Sequence, residues 1–174
     1  MDETPHPAES PEDHARRLAQ AKGRDAATTL DAGVAGVVLA ADTVVTIDGS
    51  ILGKPVDQAD AASMLRRLRG RSHQVLTALF LRRVEDGRES SIVESTRVQF
   101  REYDDSTLEA YVATGEPLDK AGAYGIQGFG AFLSRRIDGS WSNVVGLPLE
   151  RLPACLGQVG IDPLSLFRGR LSSR

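Results

Sequence analysis

The chain has 174 residues, with 21 basic and 24 acidic side chains, so its formal net charge is −3. This length suits one domain, or one domain with a small second lobe, because domains typically have roughly 100 to 200 residues. The acidic balance excludes a global positive field that would gather nucleic acid, and the 41% apolar content excludes a mainly disordered chain.

The single cysteine, Cys155, cannot form an internal disulfide, which favours a reducing, cytoplasmic setting. The longest apolar run, residues 32–41, is shorter than the roughly 20 residues that a membrane helix needs. The N-terminus is acidic and proline-rich, unlike a signal peptide, so we expect no membrane anchor. The three histidines, His6, His14 and His73, lack the spacing of zinc ligands.

The first predicted element is a helix that begins after Ser10. The Ser10 hydroxyl can cap the free amides, and Pro11 suits the first helical position. Small and apolar residues then recur on one helical face, which also carries a lysine: Ala15, Leu18, Ala19, Lys22 and Ala26. Two interpretations of Lys22 stay open. Its stem can lie along the apolar face with the ammonium at the edge, or it stands near a weakening helix end, because Gly23 costs about 1 kcal/mol relative to alanine.

A short apolar run over 37–41 predicts a buried strand that ends on a single carboxylate, Asp42. Residues 43–47 continue as β-branched strand, and the turn signal at 48–49 predicts a hairpin into 51–52. A buried carboxylate is costly without partners, so Asp42 should have a cation or hydrogen-bond donors nearby. A structural turn aspartate and a site residue are both compatible with this position.

The remaining predicted elements alternate between helices and strands. They are a helix capped by Asp57 and stopped by Gly70, strands over 73–83 and 92–100, a helix capped by Asp104 or Asp105, a glycine-dense stretch over 121–130, a strand over 131–137 and a last helix over 147–159. Pro153 either bends the last helix or marks its true start. This order predicts a mixed twisted sheet flanked by helices, of α/β or α+β class with α/β preferred, in a domain over 1–160 followed by a tail over 161–174.

Two kinds of polar residue stand out in the predicted turns. Eighteen of the 21 basic residues are arginine, so the few lysines are candidates for tasks that need a compact ammonium: Lys22, Lys54 and Lys120. Lys54, held beside Pro55, suits a charge aimed at phosphate, although a solvated turn lysine is the alternative. Gln127 offers a carbonyl and an amide donor, or is an ordinary loop residue. The glycines near Lys54 and over 122–130 lack the spacing of P-loop and dinucleotide-binding motifs.

Four short blocks follow one another along the chain. They are Ala41-Asp42-Thr43-Val44-Val45, Leu52-Gly53-Lys54-Pro55, Asp119-Lys120-Ala121-Gly122-Ala123-Tyr124-Gly125-Ile126-Gln127-Gly128 and Asn143-Val144-Val145-Gly146-Leu147-Pro148. This order resembles the Maf family of nucleoside triphosphate pyrophosphatases, and the similarity extends from Asp2 to about Gly160. The sequence over 121–128 resembles that of the family branch that acts on dTTP and UTP rather than that of the 7-methyl-GTP branch.

The resemblance implies two lobes with a central cleft, and metal-dependent hydrolysis between the α and β phosphates to a nucleoside monophosphate and pyrophosphate. It implies Asp42 as proton acceptor, Glu3 and Asp42 as ligands of Mg²⁺ or Mn²⁺, and these substrate-binding residues: Lys22, Thr43, Lys54 and Gln127. Asp42 could hold the ion, accept the proton of a water, or do both, while Lys120 would support the loop or the base pocket. A nucleoside triphosphate is the implied partner, with no nucleic acid and no membrane, and a homodimer is common in the family.

The sequence departs from the family at its start. The family has a first strand and a loop with a serine and paired arginines ahead of the position of Glu3, and here Arg16 and Arg17 follow Glu3 instead. We expect that loss to leave a sheet edge unpaired and to remove positive charge from the phosphates. The alternative function is therefore a catalytically weak nucleotide-binding protein or a cell-division and morphogenesis interaction protein. A third possibility is a domain whose motif residues serve only the fold.

Overall fold

The computed structural model describes residues 3–31 and 33–165; Asp2, Ala32 and most of the predicted tail, 166–174, lie outside this part. In chain order the elements are α1 Pro11–Thr28, β1 Val37–Ile47, β2 Ser50–Leu52, α2 Gln58–Leu68, β3 Ser72–Arg83, β4 Glu89–Phe100, α3 Asp105–Ala113, the 3₁₀ turns Glu116–Asp119, Ala121–Ala123 and Phe129–Leu133, β5 Ser134–Asp138, α4 Trp141–Val145 and α5 Leu152–Gln158. None of the described helices is long and apolar enough to cross a membrane.

The strands form one sheet in the order β2-β1-β3-β4-β5. The predicted α/β class, with helices against a sheet, is confirmed. Every pairing between the described strands is antiparallel, so this part of the sheet does not mix strand directions as predicted. Short turns join β1 to β2 and β3 to β4, and such hairpins can only connect antiparallel neighbours.

Helices cover both faces of the sheet. Helix α1 packs on one face in a cluster made of Ala15, Ala19, Val44, Leu76, Ala78 and Phe80. The other face carries α2 and α3 at one end, around Val45, Leu65, Val75, Phe100 and Leu108, and α5 at the opposite end, on Leu79 and Leu81. Strand β3 is thus buried on both faces, which accounts for its nearly unbroken apolar run.

Three predicted helix caps are confirmed. Ser10 accepts a hydrogen bond from the Asp13 amide at 3.1 Å, and Asp57 caps α2 in the same way through the Asp60 amide at 2.8 Å. Asp104, rather than Asp105, caps α3. These short-range bonds satisfy amides that the first helical turn leaves free, so they set where each helix begins.

Gly23 is a packing position, and the interpretation of a weakening helix end there is wrong. Helix α1 continues to Thr28. A Cβ at position 23 would lie 2.2 Å from the Phe80 ring and 3.2 Å from the Ala40 Cβ. The missing side chain therefore lets α1 approach the sheet closely, and the inward face that contains Lys22 extends past the glycine.

The C-terminal third differs from the predicted elements. The strand expected over 131–137 begins at Ser134, because 3₁₀ turns occupy the preceding residues. The last helix begins at Leu152, so Pro153 lies in its first turn and marks its start. A further short helix, α4, was not predicted; Ser140 caps it and Gly146, with φ of +118°, ends it.

The outer edge of β1 is only partly covered. Strand β2 pairs with residues 45–47, so among the described strands residues 37–44 have a neighbour only on the β3 side. Leu39 is accordingly 43% exposed, and the run over 37–41 is less buried than predicted. The hydrophobic pattern identified a strand there, but the pattern carries no information on how many neighbours the strand has.

The predicted boundary at residue 160 stays a prediction. Ile161 still packs against the cluster formed by α5, and its amide donates to the Leu156 carbonyl at 2.9 Å. The packed domain therefore reaches at least one residue into the predicted tail.

Candidate active site

Asp42 and Thr43 are neighbours in β1 that project from opposite faces of the sheet, as successive strand residues do. Asp42 lies on the face that α1 covers, and Thr43 lies on the face that α4 approaches. Both lie in the part of β1 that β2 leaves uncovered. A ligand that contacts both residues must therefore wrap around this strand edge.

On the α1 side, one ammonium joins two carboxylates. The Lys22 Nζ lies 2.6 Å from an Asp42 oxygen and 2.7 Å from a Glu3 oxygen. Asp42 is only 8% exposed. The inward face of α1 therefore delivers the lysine to the edge of its apolar stripe, as the first interpretation of Lys22 predicted.

The local charges shift the pKa values of this cluster in different directions. Burial raises the pKa of Asp42, and the hydrogen bond from Lys22 offsets only part of that rise. The ammonium lowers the pKa of Glu3, which is more exposed. For Lys22, burial lowers the pKa, but the bonds to both carboxylates outweigh burial and raise it. The lysine is thus a permanent cation at neutral pH.

A cavity of 540 Å³ opens in front of this cluster. Its polar lining brings together five of the predicted site residues: Glu3, Lys22, Asp42, Thr43 and Lys54. Lys54 follows β2 and is exposed, and its charge contributes to lowering the pKa of Glu3. Two ammonium groups near two carboxylates form a site that can bind an anion together with an additional cation.

A second cavity, of 580 Å³, lies on the other face of the sheet and shares Thr43 and Ala121 with the first. Val45 and Val75 from the strands form part of its wall, and Gln127 from the glycine-dense stretch also lines it. Its mixed apolar and polar lining suits a flat heterocycle. All six predicted site residues therefore line two adjoining cavities.

Glu116 organises the glycine-dense stretch, and the sequence patterns did not identify it. Its carboxylate accepts hydrogen bonds from the Phe129 amide at 2.8 Å, the Gly130 amide at 3.1 Å and the Tyr111 hydroxyl at 2.9 Å. Burial raises its pKa, but these donors outweigh burial and lower it overall. The only local signal was an acidic residue just ahead of many free backbone amides, which favour an anion.

Lys120 stands beside this loop. Its ammonium bonds the Asp119 carboxylate at 2.7 Å, and the residue lines the second cavity. A Cβ at Gly125 would lie 2.7 Å from the Lys120 side chain. The placement agrees with the expected support of the loop or base pocket, as distinct from the phosphate region.

A buried polar network holds Thr43 from behind. The Thr43 and Thr77 hydroxyl oxygens are 2.9 Å apart, and Thr77 donates to the Asn143 carbonyl at 2.9 Å. The Asn143 side chain donates in turn to the Val75 carbonyl and the Thr96 hydroxyl. No pattern in the sequence identifies Thr77, because its polar partners Thr43 and Asn143 lie 34 and 66 residues away along the chain.

The carboxylates fit a hard divalent ion that also binds phosphate. Within residues 3–31 and 33–165, no group of three or more His, Cys, Asp and Glu side chains could hold a metal ion. Mg²⁺, however, commonly uses one or two carboxylates together with phosphate oxygens and water. The adjacent Glu3 and Asp42 oxygens, gathered by one ammonium, match that donor set.

The chain is similar to a described protein family and to several named proteins. The family described as "Maf-like protein" matches residues 1–159. A dTTP/UTP pyrophosphatase of Nitratidesulfovibrio vulgaris is 52% identical over 158 residues, which cover 90% of this chain and 73% of the relative. That of Oleidesulfovibrio alaskensis is 50% identical over 149 residues, covering 85% and 67%, and that of Syntrophomonas wolfei is 42% identical over 164 residues, covering 94% and 85%.

Proposed function

Because the chain belongs to the Maf-like family, we propose that it hydrolyses nucleoside triphosphates, chiefly dTTP and UTP, to the nucleoside monophosphate and pyrophosphate. The observation that carries this proposal is the cluster in which Lys22 joins Glu3 and Asp42. This cluster faces a cavity next to a second one suited to a base. The two cavities accommodate the two ends of a nucleotide.

On the phosphate side, the residues have separate tasks. Lys22 and Lys54 place positive charge against the phosphate oxygens, where charge accumulates during phosphoryl transfer. Asp42 accepts the proton of the attacking water. Its raised pKa makes it a stronger base than an exposed aspartate, which suits proton abstraction near neutral pH.

Glu3 and Asp42 would hold the divalent ion, Mg²⁺ or Mn²⁺. When bound, such an ion neutralises phosphate charge and helps to orient the substrate. Asp42 would then have two tasks in sequence, as ligand and as proton acceptor. Its position between Lys22 and the open cavity is compatible with both.

On the base side, Thr43 and Gln127 contact the heterocycle. Thr43 lines both cavities, so it lies where the base and the phosphates of one nucleotide would meet. Gln127 is exposed and carries both a donor and an acceptor. No observation favours the alternative of a weak nucleotide-binding or morphogenesis interaction protein, or a domain whose motif residues serve only the fold.

The experiment incubates the full chain with dTTP, UTP and 7-methyl-GTP, each with Mg²⁺ or Mn²⁺, and identifies the products. We expect pyrophosphate and monophosphate from dTTP and UTP. Orthophosphate without pyrophosphate would contradict the assignment of the cleaved bond. Release of neither from dTTP or UTP, with nucleotide binding retained, would support the weak-binding alternative.

Asp42→Asn should reduce kcat by about 10²- to 10⁴-fold, the usual contribution of a general base. Asparagine has nearly the same shape, and Lys22 keeps its bond to Glu3. Asp25→Asn, on an exposed position of α1, is the matched control and should keep full activity. Unreduced turnover in the Asp42 variant would remove Asp42 from the base role.

A cytoplasmic location and a homodimer stay predictions. The one cysteine, Cys155, is a buried free thiol in this structure, which suits a reducing compartment. Sedimentation of the purified chain would test the dimer directly.

A further inference from the structure

We infer that Thr77, buried behind the second cavity, is a specificity-determining positioning residue that sets which pyrimidine the cavity accepts. It acts by directing the hydroxyl proton of Thr43 away from the cavity. This inference rests on the proposed function and adds to it a physical cause for base selection. Thr77 itself touches no ligand, since it is fully buried under α4.

The direction of the proton follows from the partners of Thr77. A hydroxyl has one proton, and a carbonyl oxygen can only accept. Because Thr77 donates to the Asn143 carbonyl, it has no proton left for Thr43. In the 2.9 Å contact between the two hydroxyl oxygens, Thr43 must therefore be the donor.

The network behind Thr77 holds this arrangement in place. The Asn143 carbonyl also accepts the Gly146 amide at 3.0 Å, at the end of α4. The Asn143 side chain is itself fully buried and bonded to β3 and β4 through Val75 and Thr96. A backbone carbonyl oxygen is a stronger acceptor than an alcohol oxygen, so the Thr77 proton favours the Asn143 carbonyl over the Thr43 hydroxyl.

Thr43 consequently presents only acceptor lone pairs to a ligand in the second cavity. A Cβ at Gly146 would lie 3.4 Å from the Thr43 hydroxyl oxygen, so glycine there leaves the oxygen uncovered. Gln127, which also lines this cavity, carries both a donor and an acceptor on its amide. Gln127 can thus adapt to either kind of base edge, whereas Thr43 cannot.

The acceptor distinguishes the pyrimidines by chemistry. Uracil and thymine carry an N–H at ring position 3, which can donate to Thr43. Cytosine has an unprotonated nitrogen at that position, so two acceptors would face each other. An unpaired or repelled polar group in a closed site costs affinity for the wrong base. The acceptor-only Thr43 therefore favours uracil and thymine over cytosine.

The test compares UTP with CTP in wild type, Thr77→Val and Thr77→Ser. Valine has nearly the shape of threonine but removes the acceptor that orients Thr43, so the Thr43 hydroxyl becomes free to donate to cytosine. We expect the UTP to CTP ratio of kcat/KM to fall by about tenfold in Thr77→Val, equivalent to one neutral hydrogen bond. Thr77→Ser keeps the hydroxyl and should restore the wild-type ratio.

The matched control is Thr46→Val, the same exchange at a buried threonine three positions beyond Thr43 in β1. It should leave the ratio unchanged. Thr77→Ala removes the same hydroxyl with less bulk, so it provides a second measurement if the valine variant does not fold. A wild-type ratio in both Thr77→Val and Thr77→Ala, with unchanged melting temperatures, would overturn the inference.

Binding of the products UMP and CMP, measured by calorimetry, separates this inference from the proposed function. If wild type cleaves neither UTP nor dTTP, the proposed function fails. The UMP to CMP ratio of dissociation constants then still reports the inference: a shift toward CMP in Thr77→Val supports it. An unchanged ratio overturns it.

Discussion

Lys22 and Asp42 face each other across the contact between α1 and β1, with 2.6 Å between the ammonium nitrogen and a carboxylate oxygen. The same ammonium also forms an ion pair with Glu3, so two carboxylates share one cation. With both carboxylates ionised, these three side chains carry a net negative charge. This imbalance leaves them able to attract a further cation, while the phosphates of a substrate would draw Lys22 toward themselves.

Lys22→Met should therefore change two properties in opposite directions. Turnover of dTTP should fall by about 10²-fold or more, because the phosphates lose a preorganised positive charge. Affinity for Mn²⁺ without nucleotide should rise, because the two carboxylates lose their resident cation. Pyrophosphate release measures the first property, and paramagnetic resonance titration of Mn²⁺ measures the second.

Lys120→Met is the matched control for that substitution. Lys120 bonds Asp119 in the wall of the second cavity, away from Glu3 and Asp42. Its loss should leave Mn²⁺ affinity at the wild-type value. A decrease of Mn²⁺ affinity in Lys22→Met would show that Glu3 and Asp42 do not form the ion site.

Glu116→Gln tests the loop that carries Gln127. The carboxylate accepts three hydrogen bonds, from two backbone amides and the Tyr111 hydroxyl. A glutamine amide offers one neutral acceptor oxygen, and its NH2 group would face donors in place of the second oxygen. We expect the free energy of unfolding to fall by about 1 to 3 kcal/mol. KM for dTTP should rise more than kcat falls if this loop contacts the base, as proposed. Glu109→Gln, at an exposed position of α3, should change neither.

Features with a local cause were predictable from the sequence. A capping side chain and its amide are three residues apart, so Ser10 and Asp57 marked the starts of their helices. The helical face that holds Lys22 was readable from spacing alone. The motif blocks then predicted Asp42, Thr43 and Gln127 as residues of one site. Such blocks reflect common ancestry with a family, which hydrophobic periodicity does not reveal.

Features that depend on distant partners were not predictable. Thr77 lies within an apolar strand, and the partners of its hydroxyl come from β1 and α4, both distant along the chain. Glu116 acts on backbone amides that no sequence pattern marks as its own. The half-exposed edge over 37–41 depends on which strands pair, and the hydrophobic pattern of one strand does not contain that information.

His73 should make stability depend on pH. It is 3% exposed, and burial lowers its pKa from 6.5 to about 4. Between these two pH values, His73 therefore binds a proton in the unfolded chain but not in the folded one. The free energy of unfolding should be fully retained above pH 6.5 and should fall, by about 3 kcal/mol in total, as the pH drops from about 6.5 to about 4.

The variant that checks this is His73→Gln, which can keep the hydrogen bond to the Tyr124 hydroxyl, 2.8 Å away in wild type. Urea unfolding at several pH values should show a shallower decline for the variant than for wild type. His6→Gln, at an exposed histidine, is the control. Parallel curves for wild type and His73→Gln would contradict a buried neutral histidine.

Gly23→Ala should destabilise the protein although alanine is the better helix former. The helical preference favours alanine by about 1 kcal/mol. Against it, the new Cβ would lie 2.2 Å from the Phe80 ring, in a core cluster that includes Ala19, and overpacking of this kind costs about 1 to 3 kcal/mol. Gly157→Ala isolates the helical preference, since a Cβ there would meet no atom within 4 Å apart from its chain neighbours and the backbone of its own helix. Thermal unfolding should show a lower midpoint for Gly23→Ala and a raised one for Gly157→Ala; a raised midpoint for both would mean that Phe80 can move aside at little cost.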